Sequence, residues 1–346
     1  MISKNTLRSI ILIVMFFVIS LFIFMISNHK NSFDVVYFTD KIEYDKNDNK
    51  GILIEKTLNE IFKETEFQAE YKILSYPFST EKTLSEIKPE ISILDNSILS
   101  EREIFYAGKN ENTLTLLNGV LSKAERENLP AGFYTTAHDL EDIYDAVDVF
   151  LKKNDAGKIL LVYDNSGKSN LIHHIRESGF EARDINIEDD KNLFFQKLGE
   201  ELAEYTPDQL LLCCDDENLS DIINMVPGFP RERILIVSDF NPKDIFYYCG
   251  INSIGIKFLS SYPYENYSSY SPADSSLKSV LQKIAICFLD NKSVKDSGEC
   301  VFRPQDENFV EADFENGRRI SPVYLYLISD EEIVLADSYS PKKDVY

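Results

Sequence analysis

Residues 156–180, AGKILLVYDNSGKSNLIHHIRESGF, narrow the possible folds more than any other stretch of the chain. Ile159, Leu160, Leu161 and Val162 form an apolar run without alternation, which suits a parallel strand covered on both faces. Asp164, Asn165, Ser166 and Gly167 then supply turn and helix-capping chemistry. Leu171, Ile172 and Ile175 mark one face of a helix that stops at Gly179. Parallel strands are reached only through crossovers, so a unit of this kind predicts more strands and helices in alternation on either side.

The alternation is there. Strands are predicted at 33–38, 69–75, 91–94 and 113–119, with helices at 51–64, 80–87, 100–108 and 135–153. In the last helix Leu140, Ile143, Tyr144, Val147, Phe150 and Leu151 share a face, and Thr136 with Asp139 predicts a capping box. After residue 180 come strands at 181–187, 209–214 and 234–240 and helices at 191–205 and 217–225. The tail departs from the rhythm: a strand and a Tyr- and Ser-rich turn within 251–274, a helix at 276–290, and a hairpin around Asp330 in 321–337. The expected class is α/β, with two Rossmann-like lobes built on parallel sheets, and 346 residues suffice for two cores.

Ahead of all this, Lys4 and Arg8 precede the apolar residues 10–26, whose one polar member is Ser20. A helix over such a run spans about 26 Å, enough with its flanks to cross a bilayer. SNHKNS after it offers neither a small-residue cleavage site nor a lipidated cysteine, so the segment reads as an uncleaved transmembrane anchor in preference to a cleaved signal. The preceding positive charge keeps residues 1–9 cytoplasmic and places the bulk outside the membrane.

Charge and cysteine content remove several classes of function. With 36 basic against 58 acidic residues the net charge is −22, which disfavours nucleic acid and anionic lipid surfaces as partners. The five cysteines show neither metal-ligand spacing nor a paired disulfide pattern, and Cys213, Cys214 and Cys287 read as small buried hydrophobes. No nucleophile elbow, phosphate loop or zinc-protease motif is present, so no catalytic residue, metal ligand or cofactor is assigned. His173 and His174 are adjacent on a helix, project about 100° apart, and read as surface residues in preference to a metal site.

In open parallel sheets ligands gather at the carboxyl ends of strands. The polar residues there include Asp95, Asn96 and Ser97, then Asp164, Asn165 and Ser166, then Asp239. Each is weighed against service as a cap or a loop solubiliser. Carboxylates here can hold an ammonium group, and hydroxyls with backbone N–H groups can hold a carboxylate, which suits an amino acid. Tyr262, with Tyr264, Tyr267 and Tyr270, can stack on a ring, although packing in the crossover is the simpler reading.

AGFYTTAHDLEDIYDAVDVFLKK running into AGKILLVYDNSGKSNLI resembles the opening of the second lobe in type I periplasmic binding proteins, particularly the branched-chain amino-acid-binding group of ABC importers. KGILIEKTLNEI (50–61), SIGIKFLSSYPYE (253–265) and FENGRRISPVYLYLISDEEIVL (314–335) are similar to that group's first helix, its crossing between lobes and its closing hairpin. The resemblance implies lobe 1 from 33–135 and 263–320, lobe 2 from 136–262 and 321–346, and a multi-strand hinge between them. It places Asp95, Asn96 and Ser97 where a ligand carboxylate binds, Tyr134 and Thr135 near the hinge, Ser166 in the first turn of lobe 2, and Asp239 where an acidic group holds the amine. The implied function is an anchored extracytoplasmic solute-binding protein that delivers a small polar ligand to an ABC permease or another envelope membrane protein. TDKIEYDKNDNK (39–50) and ILDNSILS (93–100) stand where the group has glycine-containing ligand loops. That departure supports the alternative, a non-transport interaction or sensory module acting on an envelope partner.

Overall fold

The computed structural model describes residues 32–39, 68–75, 86, 88–95, 113–130, 132–164, 169–187, 190–214, 216–237, 242–262, 272–291, 294–302, 314–315, 317–330 and 332–341. The apolar segment 10–27, the helices expected at 51–64 and 100–108, and all of 80–87 but Glu86 lie outside them. Among the described residues no helix is long and apolar enough to cross a membrane. The chain divides into two compact units, one within Met1–Leu116 and Leu281–Gly298, the other within Leu117–Val280 and Glu299–Tyr346.

The first sheet is formed by β1 (Ser32–Thr39), β2 (Gln68–Ser75), β3 (Ile91–Asp95), β4 (Leu114–Asn118) and β5 (Phe133–Thr135), in the order β2-β1-β3-β4-β5. β1 runs parallel to β2 from Ser32↔Gln68 to Thr39↔Ser75, and parallel to β3 from Val35↔Ile91 to Phe38↔Leu94. Consecutive residues of β1 and β4, Val35 to Phe38 and Leu114 to Leu117, are all buried, as a strand covered on both faces requires. Two of the buried polar residues of this sheet, Ser92 and Thr115, share a hydroxyl hydrogen bond of 3.1 Å.

The second sheet has seven strands: β6 (Lys158–Tyr163), β7 (Glu181–Asn186), β8 (Gln209–Cys213), β9 (Ile234–Ile236), β10 (Lys257–Ser260), β13 (Val323–Ile328) and β14 (Ile333–Tyr339), in the order β14-β13-β10-β9-β8-β6-β7. A ribbon of β11 (Phe314–Glu315) and β12 (Arg318–Arg319) precedes the last two. β6 to β10 are parallel; β13 and β14 close the edge as the expected antiparallel hairpin.

The apolar runs divide residue by residue between two cores. Leu160, Val162, Leu210, Leu212, Ile234 and Ile236 join one, with Phe194 and Leu198 of a helix at Lys191–Glu204 and Leu219, Ile222 and Ile223 of another at Asp216–Met225. Ile159, Leu161, Leu211 and Leu235 join the other, with Ile143, Val147, Phe150 and Leu151 of a helix at Leu140–Lys153 and Leu171, Ile172 and Ile175 of one at Ser169–Glu177. Helices on both faces explain why these strands carry no polar alternation.

In chain order the described helices are α1 (Lys123–Glu127), α2 (Leu140–Lys153), α3 (Ser169–Glu177), α4 (Lys191–Glu204), α5 (Asp216–Met225), α6 (Pro242–Cys249), α7 (Pro272–Asn291) and α8 (Val294–Phe302). The start of α2 corrects the sequence reading, which placed a helix from 135 and a capping box on Thr136 and Asp139. Thr135 ends strand β5 instead, and Thr136 Oγ1 lies 3.3 Å from Leu117 O and 3.2 Å from Asn118 Oδ1. Asp139 is the N-cap but makes no side-chain cap bond, because its carboxylate takes the Arg126 guanidinium at 2.7 Å. A complete capping box stands on α1, where Ser122 and Glu125 serve each other's backbone N–H. α6 and α8 were not predicted; Pro, Gly and Cys in those segments obscure the helical period.

Candidate functional site

Both sheets share one strand order. Taken from its first strand, each begins in the interior, adds its second strand on one side, and adds the third, fourth and fifth on the other. An order of this kind makes the carboxyl ends of the first strand and the third a topological switch point, where the general rule for open α/β sheets expects a ligand. In the first unit these ends are Thr39 of β1 and Asp95 of β3. In the second they are Tyr163 of β6, followed by half-buried Asp164, and Cys213 of β8, followed by buried Cys214.

The two ends of β6 show different chemistry. At its amino end Asp208 Oδ2 accepts the backbone N–H groups of Gly157 at 3.0 Å and Lys158 at 2.9 Å, and these bonds hold its carboxyl below the usual value. That aspartate is committed to the fold. At the carboxyl end the rings and thiols face inward: burial first, and then the bond to Asp184 Oδ2 at 3.1 Å, push the Tyr163 hydroxyl up. Cys214 Sγ lies 3.7 Å from Val162 O; away from this strand end, burial raises the thiol of Cys249 on α6, whose Sγ lies 3.7 Å from Ser220 O. None of the five cysteines forms a disulfide.

Of the predicted site residues, Tyr262 lies over a buried guanidinium in the second unit, and Tyr134 and Thr135 stand in the strand just before Thr136, whose carbonyl that guanidinium holds. Arg319 is only 1% exposed. Its Nη1 donates to Thr136 O at 2.8 Å and Ser276 Oγ at 2.6 Å, and its Nε donates to Ser321 Oγ at 2.8 Å. Ser276 Oγ also donates to Thr136 O at 2.6 Å, and His138 Nε2 donates to Ser321 O at 2.6 Å. The guanidinium carbon is 5.3 Å from the Tyr262 ring centre and 5.2 Å from that of Phe314. Tyr134 stacks on Phe302 at 4.3 Å with an interplanar angle of 1°, and Phe302 meets Phe314 edge-on at 4.6 Å. Thr135 is buried and its hydroxyl donates to Gly119 O at 2.7 Å. Sequence reasoning did not single out Arg319, His138 or Ser276; the Asn-Gly turn before Arg318 was the signal available, since it marks a tight hairpin at 315–318.

The remaining predicted residues do not join that group. Asp95 ends β3 and Asp164 follows β6, each at its own switch point, whereas Asn96, Ser97, Asn165, Ser166 and Asp239 lie outside the described residues. His173 is exposed, and His174 Nε2 lies 3.4 Å from Asp148 Oδ2, a carboxylate that also takes the Ser178 hydroxyl. Among the described residues no three metal-binding side chains converge.

No protein-family model matches the chain, and no curated protein matches it by sequence. Solved structures do match. A leucine-binding protein from Thermotoga maritima is 13% identical with a TM-score of 0.66, the match covering 89% of this chain and 98% of that one. The substrate-binding protein of a branched-chain amino acid transporter from Streptococcus pneumoniae, solved with isoleucine, is 10% identical with a TM-score of 0.68, over 90% of this chain and 100% of that one. The fold is that of the type I periplasmic binding proteins. A further example of this fold, an ABC-transporter solute-binding protein from R. palustris in complex with benzoate, is 11% identical with a TM-score of 0.66, over 90% of this chain and 96% of that one. At these identities the type I binding-protein likeness is one of architecture, and the matched proteins bind different small molecules.

Proposed function

We propose that the chain is an extracytoplasmic solute-binding protein of an ABC-type importer, tethered by residues 10–27 and binding a small polar ligand of the amino-acid class. The observation that carries this reading is the shared strand order, which gives each unit a switch point at its strands' carboxyl ends, bearing Asp95 in one and Asp164 in the other. In this reading lobe 1 comprises 33–135 and 263–320, lobe 2 comprises 136–262 and 321–346, and the crossings between them act as the hinge. Asp95, Asn96 and Ser97 contribute from lobe 1 and Asp164, Asn165, Ser166 and Asp239 from lobe 2. Tyr134, Thr135 and Tyr262 contribute by holding the crossings in place. A ligand favours the closed form only through contacts it gains there, so groups from both lobes are needed.

Thermal denaturation of the chain from residue 30 onward against a panel of amino acids and aromatic acids tests the proposal. A true ligand at about 100 times its Kd adds about 2.7 kcal/mol, on the order of 5 °C or more for a protein of this size. A panel without a shift removes the solute-binding reading. The second reading, an interaction or sensory module, draws on the replaced loops at 39–50 and 93–100 and on the exposed Tyr247, Tyr248 and Ile251 around the end of α6. It predicts no stabilisation by any small molecule and capture of an envelope protein instead.

A further inference from the structure

The chain passes between its two units at three places, 116/117, 280/281 and 298/299. All three passages are tied into the Arg319 node, and every tie lies within the second unit. At the first passage, Leu117 O accepts the Thr136 N–H at 3.0 Å, and Thr136 O is in turn held by Arg319 and Ser276. At the second, Ser276 stands about one helical turn of α7 before the crossing and accepts from Arg319 Nη1. At the third, Phe302 at the end of α8 is clamped between the stacked Tyr134 ring and the edge-on Phe314 ring, and Phe314 also lies beside the Arg319 guanidinium. Gly317 completes the clamp: its N–H donates to Phe302 O at 2.8 Å, and φ of 77° lets the β11-β12 ribbon turn tightly enough to present Arg319.

We infer that Arg319 is the pin of the lobe movement, a positioning residue that fixes the three crossing segments to the second unit so that bending is confined to the stretches beyond it. The inference rests on the two-lobe reading proposed above, with the boundaries between lobes drawn at these three passages in place of 135/136, 262/263 and 320/321. The side chain suits the task because a guanidinium offers several donors in a rigid plane and two faces for aromatic rings. It can therefore serve carbonyl and hydroxyl acceptors on separate segments while the rings stack on it. A lysine ammonium keeps the charge but not the fork. A merely structural buried arginine would hold the second unit together without affecting where the chain bends.

The test measures distance, not ligand binding. Spin labels on cysteines introduced at the exposed positions Glu90 and Glu200, one in each unit, report the separation between units by pulsed electron resonance, with Cys300→Ser removing the partly exposed native thiol. Arg319→Met is expected to broaden the distance distribution and add separations that the parent lacks, while far-UV dichroism stays unchanged. Arg319→Lys should restore part of the parent distribution. A distribution superimposable on the parent's, with only the melting temperature lowered, would overturn the pin. If Arg319→Met does not fold, Ser276→Ala with Ser321→Ala removes two of the three acceptor residues, and the same two outcomes decide. No ligand is required, so a failed ligand screen and an unchanged distance distribution strike different claims.

Discussion

Asp208 and Asp164 flank the same strand, one before its partner β8 and one after β6, and their surroundings assign them different work. Asp208 carries two backbone hydrogen bonds and a carboxyl held below its ordinary 3.8. Because the unfolded chain takes up the proton first as pH falls, the carboxylate's contribution is complete above the unfolded value and is lost as pH drops through the lower folded one. Asp208→Asn should therefore cost about 1 kcal/mol at neutral pH, a modest figure because solvent screens the group. Urea denaturation of both proteins from pH 7 to pH 3 checks this: the gap should hold constant down to about pH 4 and narrow below it, and a gap independent of pH would count against the charge. Asp164 stands half-buried at the opposite end of β6, just past the strand's carboxyl end, where the switch-point rule expects ligand groups.

At the scale of elements, helix-to-strand packing depends on single atoms. Gly298 on α8 faces the buried Leu114 of β4: a Cβ there would lie 2.5 Å and 2.9 Å from the two leucine methyl carbons and 3.3 Å from Cγ. Alanine favours a helix over glycine by about 1 kcal/mol, whereas overpacking a filled core costs about 1–3 kcal/mol. Gly298→Ala should therefore lower stability by about 1 kcal/mol, and combined with Leu114→Ala its effect should be less than additive. Denaturant midpoints of the two single variants and the pair settle it. Additive losses would mean that the α8–β4 approach is looser than these distances state. Glycine at 298 thus answers to tertiary contact, since its helix would otherwise favour almost any other residue.

For the whole molecule, the proposed tether and the proposed ligand are separable. The full chain should sediment with membranes and resist extraction by high salt, whereas a chain beginning near residue 30 should stay in the supernatant. Salt extraction of the full chain would point to a cleaved signal or a peripheral attachment. Among the matched solved structures one holds isoleucine and another benzoate, so one architecture serves ligands of different chemistry and does not by itself name a ligand.

The sequence by itself determined the layers. Ile159 to Val162 and Leu210 to Leu212 have no polar alternation, and such runs are tolerated only in strands sandwiched between helices, so the α/β class, the crossovers and most strand positions were legible. It also marked Asp95 and Asp164, because a turn residue after a buried strand falls at the sheet's carboxyl edge whatever the rest of the chain does. The strand order of each sheet, and hence which carboxyl ends flank a switch point, was decided only in three dimensions. So was the true start of α2, where Thr136 and Asp139 found partners at Leu117, Asn118 and Arg126 that a local capping rule does not see. Arg319 is the extreme case. Local pattern treats an arginine in NGRRIS as a surface charge, yet partners at 136, 262, 276 and 314 bury it, because long-range hydrogen bonds and ring faces offset its desolvation only where the folded chain gathers them.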